Sequence, residues 1–289
     1  MINRNTIFNS FLILSFVLGN TVAFGLEMER DKEFSKNKFL QIKSNGDDIE
    51  SIAKKLTPNL DLKGASDEEE KEILSAMFNL GFNLYKISYE YVNYPLDLKL
   101  NGTTVKEDLV LNLRKLRDLM AELDGGDRLL ELIDEIRIRI EKENTKVKEH
   151  NSETAALLSK MFESIGKHIE DTFGLSYKIY YSFGLWTNQV MTRCEERIIY
   201  DEIITKKLTK EQREEILERL TKDLKSLLVL AENYKSSVKE LTKKAVVRNL
   251  DNLYQASAEI KGFIEVSTAK RLYDNCLNIY YALLPTQEK

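Results

Sequence analysis

Apolar residues recur along this chain at intervals of three and four rather than two, and the recurrence breaks at a few readable places. Asp47 is placed to cap a short helix to Leu56, stopped by Thr57-Pro58. Ser66-Asp67-Glu68-Glu69 has the form of a capping box with its acids on the positive end of the helix dipole, and predicts a helix to Tyr94 that Pro95 ends. A connector, LDLKLNG, leads to a second box at Thr104 and Glu107 and a helix to Leu123, closed by DGGD. From Asp127 the set Leu129, Ile133, Ile136 and Ile140 forms one stripe of an amphipathic helix. Ser152 opens a helix to about Thr172, Gly174 permits a bend, and a further helix ends near Lys207. A third box, Thr209 to Gln212, opens a helix striped by Leu217, Leu220, Leu224 and Leu227 and continued by Ala231. The last helix runs from about Asn249 to Pro285. The pattern predicts an all-α fold, a multi-helix bundle of long amphipathic helices.

One window departs from the stripes. FGLSYKIYYSFGLW, Phe173 to Trp186, holds the chain's single tryptophan and one formal charge. Tyrosines at i and i+4 with an isoleucine at i+2 cannot share one helix face, so this helix must be covered on more than one side. That argues for central core. The other reading is an exposed face on which Tyr177, Tyr180, Tyr181 and Trp186 would meet a partner. Tyr85 to Tyr91 and Tyr177 to Phe183 share Tyr-Lys-Ile-x-Tyr-x-aromatic at a spacing of 177 − 85 = 92, the form of a decayed internal duplication.

Three prolines and twelve glycines in 289 residues leave few breakers, which agrees with long helices. The first 25 residues change the picture. A lone cation at Arg4, the short apolar run Phe11 to Gly19, and Ala23-Phe24-Gly25 with small residues at the two positions a signal peptidase reads have the form of a cleaved signal peptide, residues 1–25. The apolar run is too short for a bilayer-spanning anchor. Residues 26–46 read as a polar leader. Residues 47–289 are the bundle, with a candidate hinge between two halves near 144–152 in the polar stretch EKENTKVKEHNSE. Without the first 25 residues, 42 basic residues stand against 47 acidic ones with both signs interspersed. That balance argues against a nucleic-acid partner, and no run in the mature chain approaches a transmembrane span.

Chemistry-bearing motifs are scarce. The two histidines, His150 in the polar hinge and His168 in GKHIEDTF, do not make the zinc helix H-E-x-x-H. No phosphate-binding glycine loop, nucleophile elbow or C-x-x-C occurs, and repeated Glu-x-x-His units are missing, so no catalytic residue, metal site or cofactor is assigned. Asn101-Gly102-Thr103 reads as a turn. Cys194 and Cys276, the two cysteines, are open to one disulfide or to two buried free thiols.

A short signal peptide, a lysine- and asparagine-rich mature chain, a polar leader, and long helices punctuated by aromatic runs such as NLYKISYEYVNY resemble the all-helical surface and outer-membrane antigens of Borrelia-type spirochaetes. The resemblance is one of style over the mature chain and carries over no functional residue. It implies an envelope location and contact with host components such as complement or matrix. The chain departs from that group in lacking a cysteine at the cleavage site, where a lipid would be attached. The expectation is an exported, non-enzymatic protein acting through protein contact, in host or vector interaction, at the cell surface or outer membrane or in the periplasm. The alternative is an extracytoplasmic enzyme or small-ligand carrier with a pocket between helices.

Overall fold

The computed structural model describes residues 48–56, 66–100, 102–144, 152–203, 209–238 and 244–284. Residues 1–25 and 26–46, the signal-peptide and leader assignments, lie outside the described residues, as does most of the 144–152 hinge. Among the described residues the fold is an all-helical bundle. Its elements are α1 (Ile49–Leu56), α2 (Asp67–Asn93), a two-stranded ladder β1 (Lys99–Leu100) and β2 (Thr103–Thr104), α3 (Val105–Glu122), α4 (Asp127–Lys142), α5 (Ser152–Phe173) and α6 (Leu175–Ile203). The remainder is α7 (Lys210–Val229), α8 (Ala231–Ser237), α9 (Lys244–Glu259) and α10 (Val266–Leu283). No described helix is long and apolar enough to cross a membrane.

All three capping boxes form. Ser66, Thr104 and Thr209 each accept a hydrogen bond from the third helical N–H, and Glu69, Glu107 and Gln212 return it. The first helix differs by one position from expectation: Asp48 caps it, its carboxylate accepting from the Ser51 N–H at 2.9 Å. Gly102, at φ +95°, turns β1 into β2, with Leu100 opposite Thr103. Gly174, at φ +99°, makes the bend between α5 and α6.

The centre is a pair of parallel helices, α2 and α6. Glu70 lies near Tyr177, the Phe82 carbonyl accepts from Asn188 Nδ2 at 2.6 Å, and Tyr85 lies near Arg193, so both helices run the same way. Parallel neighbours need a long crossover, which α3, α4 and α5 supply. Two glycines let the backbones touch. A Cβ on Gly81 would stand 1.9 Å from the Tyr181 carbonyl oxygen, and one on Gly184 would stand 1.9 Å from that of Phe78. The contacts are reciprocal: 184 − 81 and 181 − 78 both equal 103, so the crossing is a local pseudo-two-fold joining FNLGF (Phe78–Phe82) to YSFGL (Tyr181–Leu185). The structural relation therefore runs at a spacing of 103 rather than 92. Tyr85 and Tyr177 lie on opposite sides of the crossing along the pair, so the crossing does not bring the two copies of the seven-residue match together.

Around this pair one continuous core draws on helices before and after residues 145–151. On one flank α10 seats Tyr280 against Phe82, ring centroids 4.6 Å apart, and on the other α5 receives Tyr181. The expected single last helix is two. Between α9 and α10 the chain turns at 260–265, held where Ile264 N–H donates to Thr221 Oγ1 at 3.0 Å, Arg197 Nε donates to the Ile264 carbonyl, and Lys225 Nζ donates to that of Ile260. Gly262 was the sequence signal, hidden among apolar neighbours that continue the stripe.

On the surface of the α3–α4 hairpin, Arg117, Asp134, Arg137, Glu141 and Arg114 form a chain of ion pairs at 2.8 to 3.0 Å. Burial works to raise the Asp134 carboxyl, but the bonds from Arg117 and Arg137 outweigh it and hold it below the usual range. The bond from Arg114 does the same for Glu141. A carboxylate with a depressed folded pKa contributes stability above its unfolded value and loses it as pH falls through the folded one. Asp134→Asn should therefore cost about 1 kcal/mol or less at neutral pH, and its melting curve should converge on the parent's as pH falls below the usual carboxylate range. A gap that persists unchanged into acid would contradict this.

Candidate functional site

The aromatic stretch singled out in the sequence is core. Trp186 is wholly buried, Tyr180 and Tyr181 are nearly so, and Tyr177 is buried at the mouth of the same seam. The polar ends of Trp186 and Tyr181 have internal partners. Trp186 Nε1–H donates to the Leu227 carbonyl at 2.9 Å and the Tyr181 hydroxyl to that of Phe162 at 3.1 Å. From α8 the Tyr234 hydroxyl donates to the Ser182 carbonyl at 3.0 Å, and its ring lies 5.0 Å from both Phe183 and Trp186. Burial pushes the Tyr181 and Tyr234 phenols far up, so they remain neutral donors. The partner-binding reading of Tyr177, Tyr180, Tyr181 and Trp186 is corrected, because each of these rings is buried among the described residues.

Cys194 and Cys276 are both buried free thiols, and the disulfide alternative is not formed. Burial raises both far above the ordinary range, and for Cys194 the nearby Cys276 adds to it, leaving protonated, unreactive sulfur. His168 Nε2 lies 2.9 Å from the Leu123 carbonyl, a structural bond between α5 and the end of α3, while His150 lies outside the described residues. Among the described residues no three histidine, cysteine or acidic side chains gather to hold a metal ion.

RCEER, Arg193 to Arg197, continues the aromatic stretch as a buried charged segment. Arg193 pairs with Glu196 at 2.7 Å; burial alone would lower its pKa, and the Glu196 carboxylate reverses that. Asp223 faces the pair from α7, its carboxyl raised by burial against the pull of Arg193 and Arg219. The arrangement pins α6 to α7 and to the 260–265 turn.

One open concavity is built on a different pair of elements. The antiparallel helices α9 and α10 leave between them a groove of about 540 Å³ whose lining residues all carry polar or charged groups. Asn252, Gln255 and Glu259 line it from α9; Ser267, Lys270, Arg271, Asp274, Asn275 and Asn278 line it from α10. Two bonds tie the walls together: Asn252 Nδ2 donates to Asn275 Oδ1 at 3.0 Å, and Arg271 Nη2 to Glu259 Oε2 at 2.9 Å. The Asn275 amide also donates to the Arg271 carbonyl at 2.8 Å, which fixes its orientation. Sequence reading missed this site, since polar residues at i, i+3 and i+7 on one helix look like any solvated face. The available signal was that two such faces follow each other across the Gly262 turn.

No protein-family model, curated protein or solved structure matches the chain.

Proposed function

We propose that this is an exported, non-enzymatic helical protein that acts through protein contact at the cell envelope, as an outer-membrane-associated or surface antigen in host or vector interaction. The observation that carries the reading is the N-terminal pattern of Arg4, the apolar run Phe11 to Gly19 and Ala23-Phe24-Gly25, which has the form of a secretory signal with a cleavage site. The resemblance in style to spirochaetal surface antigens supports the envelope location. The use of the aromatic and charged interior groups in packing and internal bonds supports contact rather than catalysis. A second reading, a small-ligand carrier, is favoured by the polar groove between α9 and α10.

Fractionation of the native cell with protease treatment of intact cells tests the proposal. The expected result is a protein outside the cytoplasm, accessible at the surface, whose N-terminus is Leu26. Recovery from the cytoplasm with Met1 or Ile2 at its N-terminus would overturn it.

A further inference from the structure

We propose that the groove between α9 and α10 is a binding site for a neutral saccharide. The inference goes beyond the reading of the chain as a contact protein and does not depend on its export.

The volume, about 540 Å³, lies within the range of small-ligand sites. What the walls offer selects the ligand. Glu259 and Asp274 balance Lys270 and Arg271, so the site has no net charge with which to select an anion or a cation. The apolar surface here is that of the stems of polar side chains, so an apolar ligand would cover their amides and charges without giving them partners. The remaining currency is hydrogen bonding.

Part of that capacity is already committed to the frame. Asn252, Asn275, Arg271 and Glu259 bond to one another and hold the two helices at a fixed separation. Gln255 on one wall and Lys270, Asp274 and Asn278 on the other make no hydrogen bond or ion pair among the described residues. These four present a carboxamide, an ammonium, a carboxylate and a second carboxamide to one space. A carboxylate only accepts, an ammonium only donates, and an amide does both. A row of hydroxyls, each donor and acceptor at once, satisfies that mixture; a carboxylate or phosphate ligand would leave Asp274 opposed, and an amine would leave Lys270 opposed.

Tyr281 adds an independent element. It follows Asp274 and Asn278 at i+7 and i+3 on the same stripe of α10, and its ring is 46% exposed although every other polar-tipped ring on this helix is buried. Its ring lies 5.6 Å from that of Tyr280, one helical turn beyond Asn278, the last groove residue on α10, and a pyranose has one face of C–H groups that can stack on such an exposed ring while its hydroxyls reach the amides. The preset frame reduces the ordering cost of binding.

The test uses the full chain with neutral oligosaccharides, lactose, maltotriose and diacetylchitobiose in solution and a glycan array for breadth, alongside Asp274→Ala, Gln255→Ala and Tyr281→Ala. These side chains are surface groups, so parent-like thermal melts separate loss of binding from loss of fold. The proposal expects binding of at least one neutral glycan, unaffected by added salt, and weakened about tenfold or more in each variant. Three results would overturn it: no neutral glycan bound at up to about 10 mM, below which even very weak sites register; binding confined to sulfated or sialylated glycans and lost in salt, which would assign an anion surface; or binding retained in all three variants, which would place the site elsewhere. Failure of export leaves each of these outcomes readable, because the binding is measured on the purified chain.

Discussion

Gly81→Ala is expected to destabilise the protein by roughly 3 kcal/mol or more, and Gly184→Ala by a similar amount. Helix propensity argues the other way, since alanine in place of glycine inside a helix is worth about 1 kcal/mol of stabilisation. Sterics decide the sign. Each new Cβ would stand 1.9 Å from a backbone carbonyl oxygen of the opposing helix, and a backbone cannot turn aside as a side-chain tip can. The parallel pair would have to separate along its length, loosening Phe78, Phe82 and Phe183 at the crossing. Gly262→Ala is the control. Its Cβ meets nothing within 4 Å, so its melting temperature should stay close to the parent's. If all three variants melt together, α2 and α6 do not cross at these glycines.

Trp186→Ala is expected to cost about 3 to 5 kcal/mol, the range for removing a large aromatic from a packed core. Two losses add up. The indole fills the space between Phe183 and Tyr234, with centroids 5.8 and 5.0 Å away, and its N–H holds the Leu227 carbonyl near the end of α7. The cavity left behind would also leave that carbonyl without its indole donor. Tyr254→Ala, at an exposed ring of α9, should change stability by no more than about 0.5 kcal/mol. A Trp186 variant as stable as the Tyr254 variant would contradict the packing described.

The helical fold was legible because its signals are local. Each capping box needs only four consecutive residues, and Ser66, Thr104 and Thr209 formed all three. Burial of the aromatic stretch followed from one helix's periodicity, since rings on several faces require several neighbours. What stayed hidden depends on two elements at once. Gly81 and Gly184 are single glycines in separate helices until the crossing is known, and the Tyr-Lys-Ile match at 92 drew attention to residues that the pair places at different levels. The break at 260–265 was masked because Ile260 and Ile264, which hold the turn inward, are the residues a continuing stripe would supply. The groove was invisible for the same reason: Gln255 and Asp274 are unremarkable until α9 and α10 face each other.

The rings between Phe173 and Trp186 form the covered centre of the bundle, and the single tryptophan makes their burial directly readable in the unmodified chain. Fluorescence of Trp186 under native conditions, with acrylamide as quencher, should show blue-shifted emission that resists quenching until the protein unfolds. Red-shifted emission, readily quenched in the folded protein, would contradict the buried position and return these rings to the surface.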